Sequence, residues 1–278
     1  MTRRVSSVGA VVVATDRSPG ARIALERGRS IGEALGLRLV VVHVVEPDHG
    51  EDPNDVADEL AIEHPDATVI VREGRAFVEL IRASREVGAA LIVAGAFGEH
   101  RSGPMAFGVT IDRLVRSADR PVLVVRIAPN CAYRTVVCGI DGSVEAKAAM
   151  DLALDIAPAA RLVAVRAYEP TGVHRLVVRG VDPDEIDRYR TTLAAIAEEG
   201  LEQDLNGLQV ALEVSEGRPE DVLGRAVHEH DAELLAVGWR GVDPIRHVLL
   251  GSVAHHVVHE AQCDVLIHRS PAPDFERP

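Results

Sequence analysis

The chain is 278 residues long, 47% hydrophobic and 26% charged. That length suits two domains of ordinary size, and that composition excludes wholesale disorder. Aromatics are only 3% and the formal net charge is −13. The core is therefore built from Val, Leu, Ala and Ile, and a field of that sign argues against a nucleic-acid partner.

In chain order, Met1-Thr-Arg-Arg opens the sequence, followed by a short apolar stretch from Val8 to Ala14 that runs straight into Asp16. The stretch is too short for a signal peptide and reads as a first strand. No apolar run reaches the roughly 18–20 residues of a membrane span. With Cys131, Cys138 and Cys263 widely spaced and without a zinc pattern, the expectation is a cytoplasmic protein with reduced thiols and no membrane partner. The first five strands are expected at Ala10–Ala14, Leu39–Val45, Thr68–Val71, Ala90–Ala94 and Val122–Val125. The next five are expected at Thr135–Ile140, Arg161–Ala167, Gln209–Val214, Leu234–Val237 and Val265–His268. These runs are continuously apolar, as in a parallel sheet covered on both faces. Helical patterns lie between them at Gly20–Leu35, Asp55–Glu63, Ala76–Val87, Thr110–Ser117, Val144–Ile156, Asp182–Gln203, Pro219–His228 and Val253–His259. Strand–helix alternation gives α/β architecture with right-handed crossovers.

The chain also repeats itself. Asp16 matches Asp141, and Glu46-Pro47 matches Glu169-Pro170. Gly95, Gly98 and Gly108 match Gly238, Gly241 and Gly251 at a constant offset of 143. The period is too long for a solenoid, so two copies of one domain are expected, at 1–128 and 132–270, with a flexible tail at 271–278. Between strands two and three the second copy is 20 residues longer, which leaves the first copy with an abbreviated crossover.

Open parallel sheets take ligands beyond the carboxyl ends of their strands. In the second copy that region holds Gly139-Ile140-Asp141 and the string Gly238-Trp-Arg-Gly241 through Gly251-Ser252-Val253, G-x2-G-x9-G-S. Glycines let backbone amides approach a phosphate, and a helix start adds unpaired N–H groups and the positive dipole end. Asp141 is placed to accept bonds from ribose hydroxyls or an adenine amino group. Arg101 and Arg246 lie in the nine-residue loops as candidate phosphate partners, and Trp239 sits between the loop glycines. His255 and His259 share a helix face at the i, i+4 spacing of metal ligands. No HExxH surrounds them, so a solvated face or subunit contact is the reading, and no metal site is assigned.

With VATDRSPGARIAL, VCGIDGSVEAKAA, EGR and GWRG-x9-GSV in place, the chain resembles a tandem universal stress protein of the ATP-binding branch. The resemblance spans about residues 8–126 and 134–269. It implies two tandem five-stranded, doubly wound, Rossmann-like domains of strand order 3-2-1-4-5. It implies pairing through Val122–Val125 and Val265–His268, homodimers among its forms, and a stress-response regulatory or sensor role. It implies ATP as ligand, with AMP or ADP as alternatives and Mg2+ carried on the phosphates. Residue by residue, it places Asp141 near the ribose and Ala167 beside adenine. Gly238 and Gly241 would run along the ribose and phosphates, with Gly251, Ser252 and Val253 holding phosphate oxygens. In the first copy the matching positions are Asp16, Val44, Gly95, Gly98 and Gly108. There Val109 stands in place of Ser252, and Thr110 is the nearest hydroxyl. ATP is therefore expected mainly in the second copy. P-loop and GxGxxG motifs are missing from the sequence and no GxSxG elbow follows a strand, so at most slow ATP hydrolysis is expected. The alternatives are a nucleotide-free, partner-binding protein of the same fold and a slow ATPase.

Overall fold

The structure is a computed structural model that describes residues 9–46, 51–98, 108–128, 132–170, 172–205, 207–208, 210–239 and 251–269. The elements are β1 (Ala10–Thr15), α1 (Pro19–Leu35), β2 (Arg38–Val45), α2 (Pro53–Glu63), β3 (Thr68–Glu73), α3 (Ala76–Glu86), β4 (Ala89–Gly95), α4 (Val109–Ser117) and β5 (Val122–Val125). There follow β6 (Thr135–Gly139), α5 (Val144–Ile156), β7 (Arg161–Tyr168), α6 (Val173–Val178), α7 (Pro183–Leu205), β8 (Ala211–Glu216), α8 (Pro219–Glu229), β9 (Leu234–Gly238), α9 (Ser252–Glu260) and β10 (Asp264–His268). The described residues fall into two compact units. Unit 1 holds those up to Ala132 together with those from Gln262 onward, and unit 2 runs from Tyr133 to Ala261.

In unit 1 the strands lie in the order β3-β2-β1-β4-β5-β10. The first five are parallel, in the expected 3-2-1-4-5 order. β10 adds to β5 antiparallel, with Val265 opposite Val124 and Ile267 opposite Val122. The central strands are buried along their length, with Val11, Val12, Val40, Val41, Leu91 and Ile92 inaccessible to solvent. That burial is the counterpart of the unbroken apolar runs in the sequence.

A buried ion pair fixes this end of the sheet. Asp264 is wholly buried, and its carboxylate lies 3.3 Å from the buried Arg27 guanidinium of α1. The same carboxylate accepts from the backbone N–H groups of Arg126, at 2.7 Å, and Ile127, at 3.1 Å. The Arg269 guanidinium donates to the carbonyls of Arg116 and Ala118 at the end of α4.

Unit 2 has the parallel order β9-β6-β7-β8. Its strands start and stop within about two residues of the sequence expectation, and Gln209 lies outside the described residues. The six-residue helix α6 lies outside the elements expected from the sequence. The abbreviated crossover of unit 1 still covers its sheet. α2 buries Val56 and Leu60, and the middle of β3 is half-buried, much as β8 is under the longer α7. Among the described residues no helix is long and apolar enough to cross a membrane.

Candidate functional site

The site region begins where β1 and β6 end. Asp16 and Asp141 each accept the backbone N–H of the residue two ahead, Ser18 at 3.0 Å and Ser143 at 2.9 Å. Those serines cap α1 and α5, accepting from the N–H groups of Ala21 and Ala146. The residue between aspartate and cap has positive φ in both copies, 86° at Gly142 and 63° at Arg17. Glycine takes that conformation freely, whereas an arginine is strained there by about 1–2 kcal/mol. Arg17 is held by ion pairs to Glu51 and Glu59.

The ends of β4 and β9 approach α1 and α5 closely. A Cβ on Gly95 would lie 2.7 Å from the Gly20 carbonyl oxygen, and one on Gly238 would lie 2.6 Å from the Ala146 nitrogen. Neither could be relieved by moving a side chain. These two glycines are thus required by helix–strand packing, whatever else they touch.

Gly108 and Gly251 are different. They are the N-caps of α4 and α9, with nearly the same backbone, φ −64° and ψ 128° in one and φ −55° and ψ 131° in the other. Neither helix has a side-chain cap, unlike α1 and α5. The first backbone N–H to find a carbonyl within α4 is that of Asp112, and within α9 that of His255. Among the described residues a Cβ on Gly108 would meet nothing closer than 3.6 Å, so their packing does not demand glycine there.

In unit 1 these pieces surround a cavity of about 1030 Å³, as large as the largest ordinary small-molecule sites. Asp16, Val44, Gly95, Gly98, Gly108 and Thr110, all six positions singled out in the first copy, line it. Gly98 abuts Asp16, since a Cβ there would lie 2.7 Å from the carboxylate. Val109 is 66% exposed at the mouth.

The structure adds lining residues that motif reading passed over, among them Arg17, His43, Glu51, Phe97 and Arg113. Arg113 stands one turn beyond Thr110, a signal that helix periodicity could have supplied. His43 is buried, with Nδ1 2.8 Å from the Thr15 carbonyl oxygen and Nε2 3.9 Å from the Glu51 carboxylate. Its counterpart in unit 2 is Arg166, which donates to the matching carbonyl of Ile140 and pairs with Asp204 of α7 at 2.6 Å.

In unit 2, Gly139 ends β6, with Ile140 and Asp141 directly after it, and Ala167 lies near the end of β7. Gly238 ends β9, Gly251 caps α9, and Val253 is half-buried in its first turn. Gly241, Arg246 and, in unit 1, Arg101 lie outside the described residues, as does the Ser252 side chain. Trp239 is buried, 4% exposed.

Fold and site geometry define a duplicated, doubly wound α/β protein with a ligand-sized cavity at the strand ends. The family model described as the universal stress protein family matches residues 8–126 and 132–269. The chain belongs to the universal stress protein family. It is 36% identical over 143 residues to universal stress protein Rv1636 of Mycobacterium tuberculosis, covering 49% of this chain and 96% of that one. It is 26% identical to universal stress protein Rv2623 of the same organism over 95% of this chain and 97% of the relative. Among solved structures, a universal stress protein from Archaeoglobus fulgidus shares the fold at a TM-score of 0.65 and 18% identity, covering 94% of this chain and 98% of that one.

Proposed function

We propose that the chain binds an adenine nucleotide, ATP in the first instance, at the strand ends of both units. The observation that carries the reading is the cavity of unit 1. It combines an aspartate at one side, Asp16, with the uncapped N-terminus of α4 at the other. A helix N-terminus without a side-chain cap presents N–H groups and positive dipole to an anion. Gly108 leaves room for a phosphate that any side chain would obstruct. Asp16 accepts from ribose hydroxyls, Val44 offers an apolar edge to the base, and Arg113 adds positive charge near the phosphates. Mg2+ would arrive on the nucleotide's own oxygens.

Unit 2 carries the same arrangement in Asp141, Ala167 and Gly251, with Ser252 contributing a hydroxyl where unit 1 has Val109. On that ground unit 2 is the tighter site. Hydrogen bonds to a charged group contribute about 1.5–3 kcal/mol each, so one hydroxyl is worth about tenfold or more in affinity. The bound nucleotide serves regulation: a ligand that favours one conformation shifts the chain toward it.

The test is to denature the purified chain and quantify adenine nucleotide per molecule, then titrate ATP into stripped protein. The wild type should hold up to two nucleotides. Gly108→Asp should lose the weaker one and Gly251→Asp the tighter one. A wild type that carries none and takes up none at millimolar ATP would defeat the reading.

A further inference from the structure

We propose that His255 and His259 of α9 form a site for one divalent transition-metal ion of the zinc class. The inference does not rest on nucleotide binding. The two residues are one helical turn apart on the same face. Their rings lie side by side, with centroids 4.4 Å apart and planes inclined by 36°. A ring nitrogen of one lies within 4.8 Å of a ring nitrogen of the other. Two imidazoles on a tetrahedral zinc, with Zn–N bonds of about 2.0–2.1 Å, need their nitrogens roughly 3.4 Å apart. Side-chain rotation, at the i, i+4 spacing of one helical turn, is the movement that binding requires.

The helix is a firm support. Ala254, Val257 and Val258 are buried on its packed face. His255 and His259 are half-buried, whereas His256 points to solvent. The partly restricted rings have less rotamer freedom to lose on binding than free surface histidines have. His259 also lies in the last turn of α9, where the helix dipole favours a cation.

The donor set selects the ion. Neutral imidazole suits Zn2+, Ni2+ and Cu2+, while Mg2+ and Ca2+ require oxygen ligands. Two protein nitrogens leave the remaining positions to water or another oxygen donor. The site is therefore open and exchangeable, unlike a closed four-ligand structural zinc.

The experiment titrates Zn2+ into the full chain by calorimetry, after removal of any affinity tag and treatment with chelator. The variants are His255→Gln, His259→Gln and, as control, His256→Gln. Glutamine is a good helix former, so α9 is retained, and the Tm without metal checks this. The expected result is one Zn2+ per chain, weakened at least tenfold in His255→Gln and His259→Gln, about 1.4 kcal/mol, and unchanged in His256→Gln. Zn2+ should raise the Tm of the wild type and of His256→Gln but not of the other two. The chain has 12 histidines, so equal weakening by all three substitutions would mean diffuse surface binding and would overturn the proposal. Undiminished binding in His259→Gln, or no uptake at ~100 µM Zn2+ by the wild type, would overturn it too.

Discussion

Glycines that share one sequence motif are held by different constraints. Gly95 and Gly108 both belong to the string of the first copy, yet only Gly95 has a backbone oxygen within 3 Å of where a Cβ would stand. Gly95→Ala should therefore push α1 off the sheet and destabilise unit 1 by about 1–3 kcal/mol, the usual cost of overpacking. Gly108→Ala should cost stability no more than about 1 kcal/mol, the loss of a tolerable N-cap. Its effect belongs to the ligand, and nucleotide affinity at unit 1 should fall at least tenfold. Urea unfolding alongside nucleotide titration separates the two, and a Gly108→Ala chain that binds as well as the wild type would remove the phosphate from α4. Arg17 stands at the same scale, keeping a left-handed backbone that Gly142 occupies freely. Arg17→Gly should relieve the strain but lose the ion pairs to Glu51 and Glu59. These exposed pairs are each worth about 0–1 kcal/mol, so stability should change little in either direction.

At the scale of elements, two carboxylates decide how strands are anchored. Asp264 is fully buried against Arg27 and caps the backbone after β5. Asp264→Ala strands a buried guanidinium and should cost about 3–5 kcal/mol in denaturant unfolding. The double variant Arg27→Met/Asp264→Leu should recover part of that loss, because no buried charge is left behind, while the Arg126 and Ile127 N–H groups still lose the carboxylate that accepts from them. If the double variant is as unstable as the single one, the pair is not what holds the strand.

Glu233 acts at the start of β6. Burial disfavours its charge, but the N–H groups of Arg134 and Thr135 and the Arg134 guanidinium outweigh burial, so its carboxyl titrates below the usual range. A depressed folded-state value means stability that is present above the unfolded value, about 4.3, and lost as pH falls through the lower folded one. The acid limb of the stability–pH curve should flatten in Glu233→Gln. An unchanged slope between about pH 5 and pH 3 would refute the assignment.

The order of the elements was readable from the sequence because buried parallel strands leave unbroken runs such as Val40-Val41-Val42, which no loop would carry. So was the position of Asp16 and Asp141, set by where those runs stop. Arg27 and Asp264 were not readable as partners. They are far apart in sequence, and a buried charge leaves no periodic trace. His43 escaped notice because a single polar residue in an apolar run looks the same whether it faces a cavity or a helix. The short α6 escaped because six residues carry too little periodicity to register.

At the scale of the molecule, the repeat and the contacts divide the chain differently. Repeat logic gives Val265–His268 to the second copy, yet β10 hydrogen-bonds to β5, and its Asp264 pairs with the buried Arg27. All four residues of β5 are buried. A chain ended at Ala261 would leave that strand as a bare apolar edge, a ready template for intermolecular pairing. It would also leave Arg27 without Asp264, at about the 3–5 kcal/mol of a broken buried pair. That is a large share of the 5–15 kcal/mol that holds an ordinary domain. Truncation after Ala261 should thus damage unit 1, which is remote in sequence, more than unit 2, from whose end the residues were removed. Hydrogen exchange can tell these apart, through amides of β1, β4 and β5 against those of β6 and β7. Loss of protection in β1, β4 and β5 with β6 and β7 still protected is the expected pattern. The reverse pattern would mean that β10 stabilises its own copy first and that the repeat, not the pairing, marks the cooperative boundary.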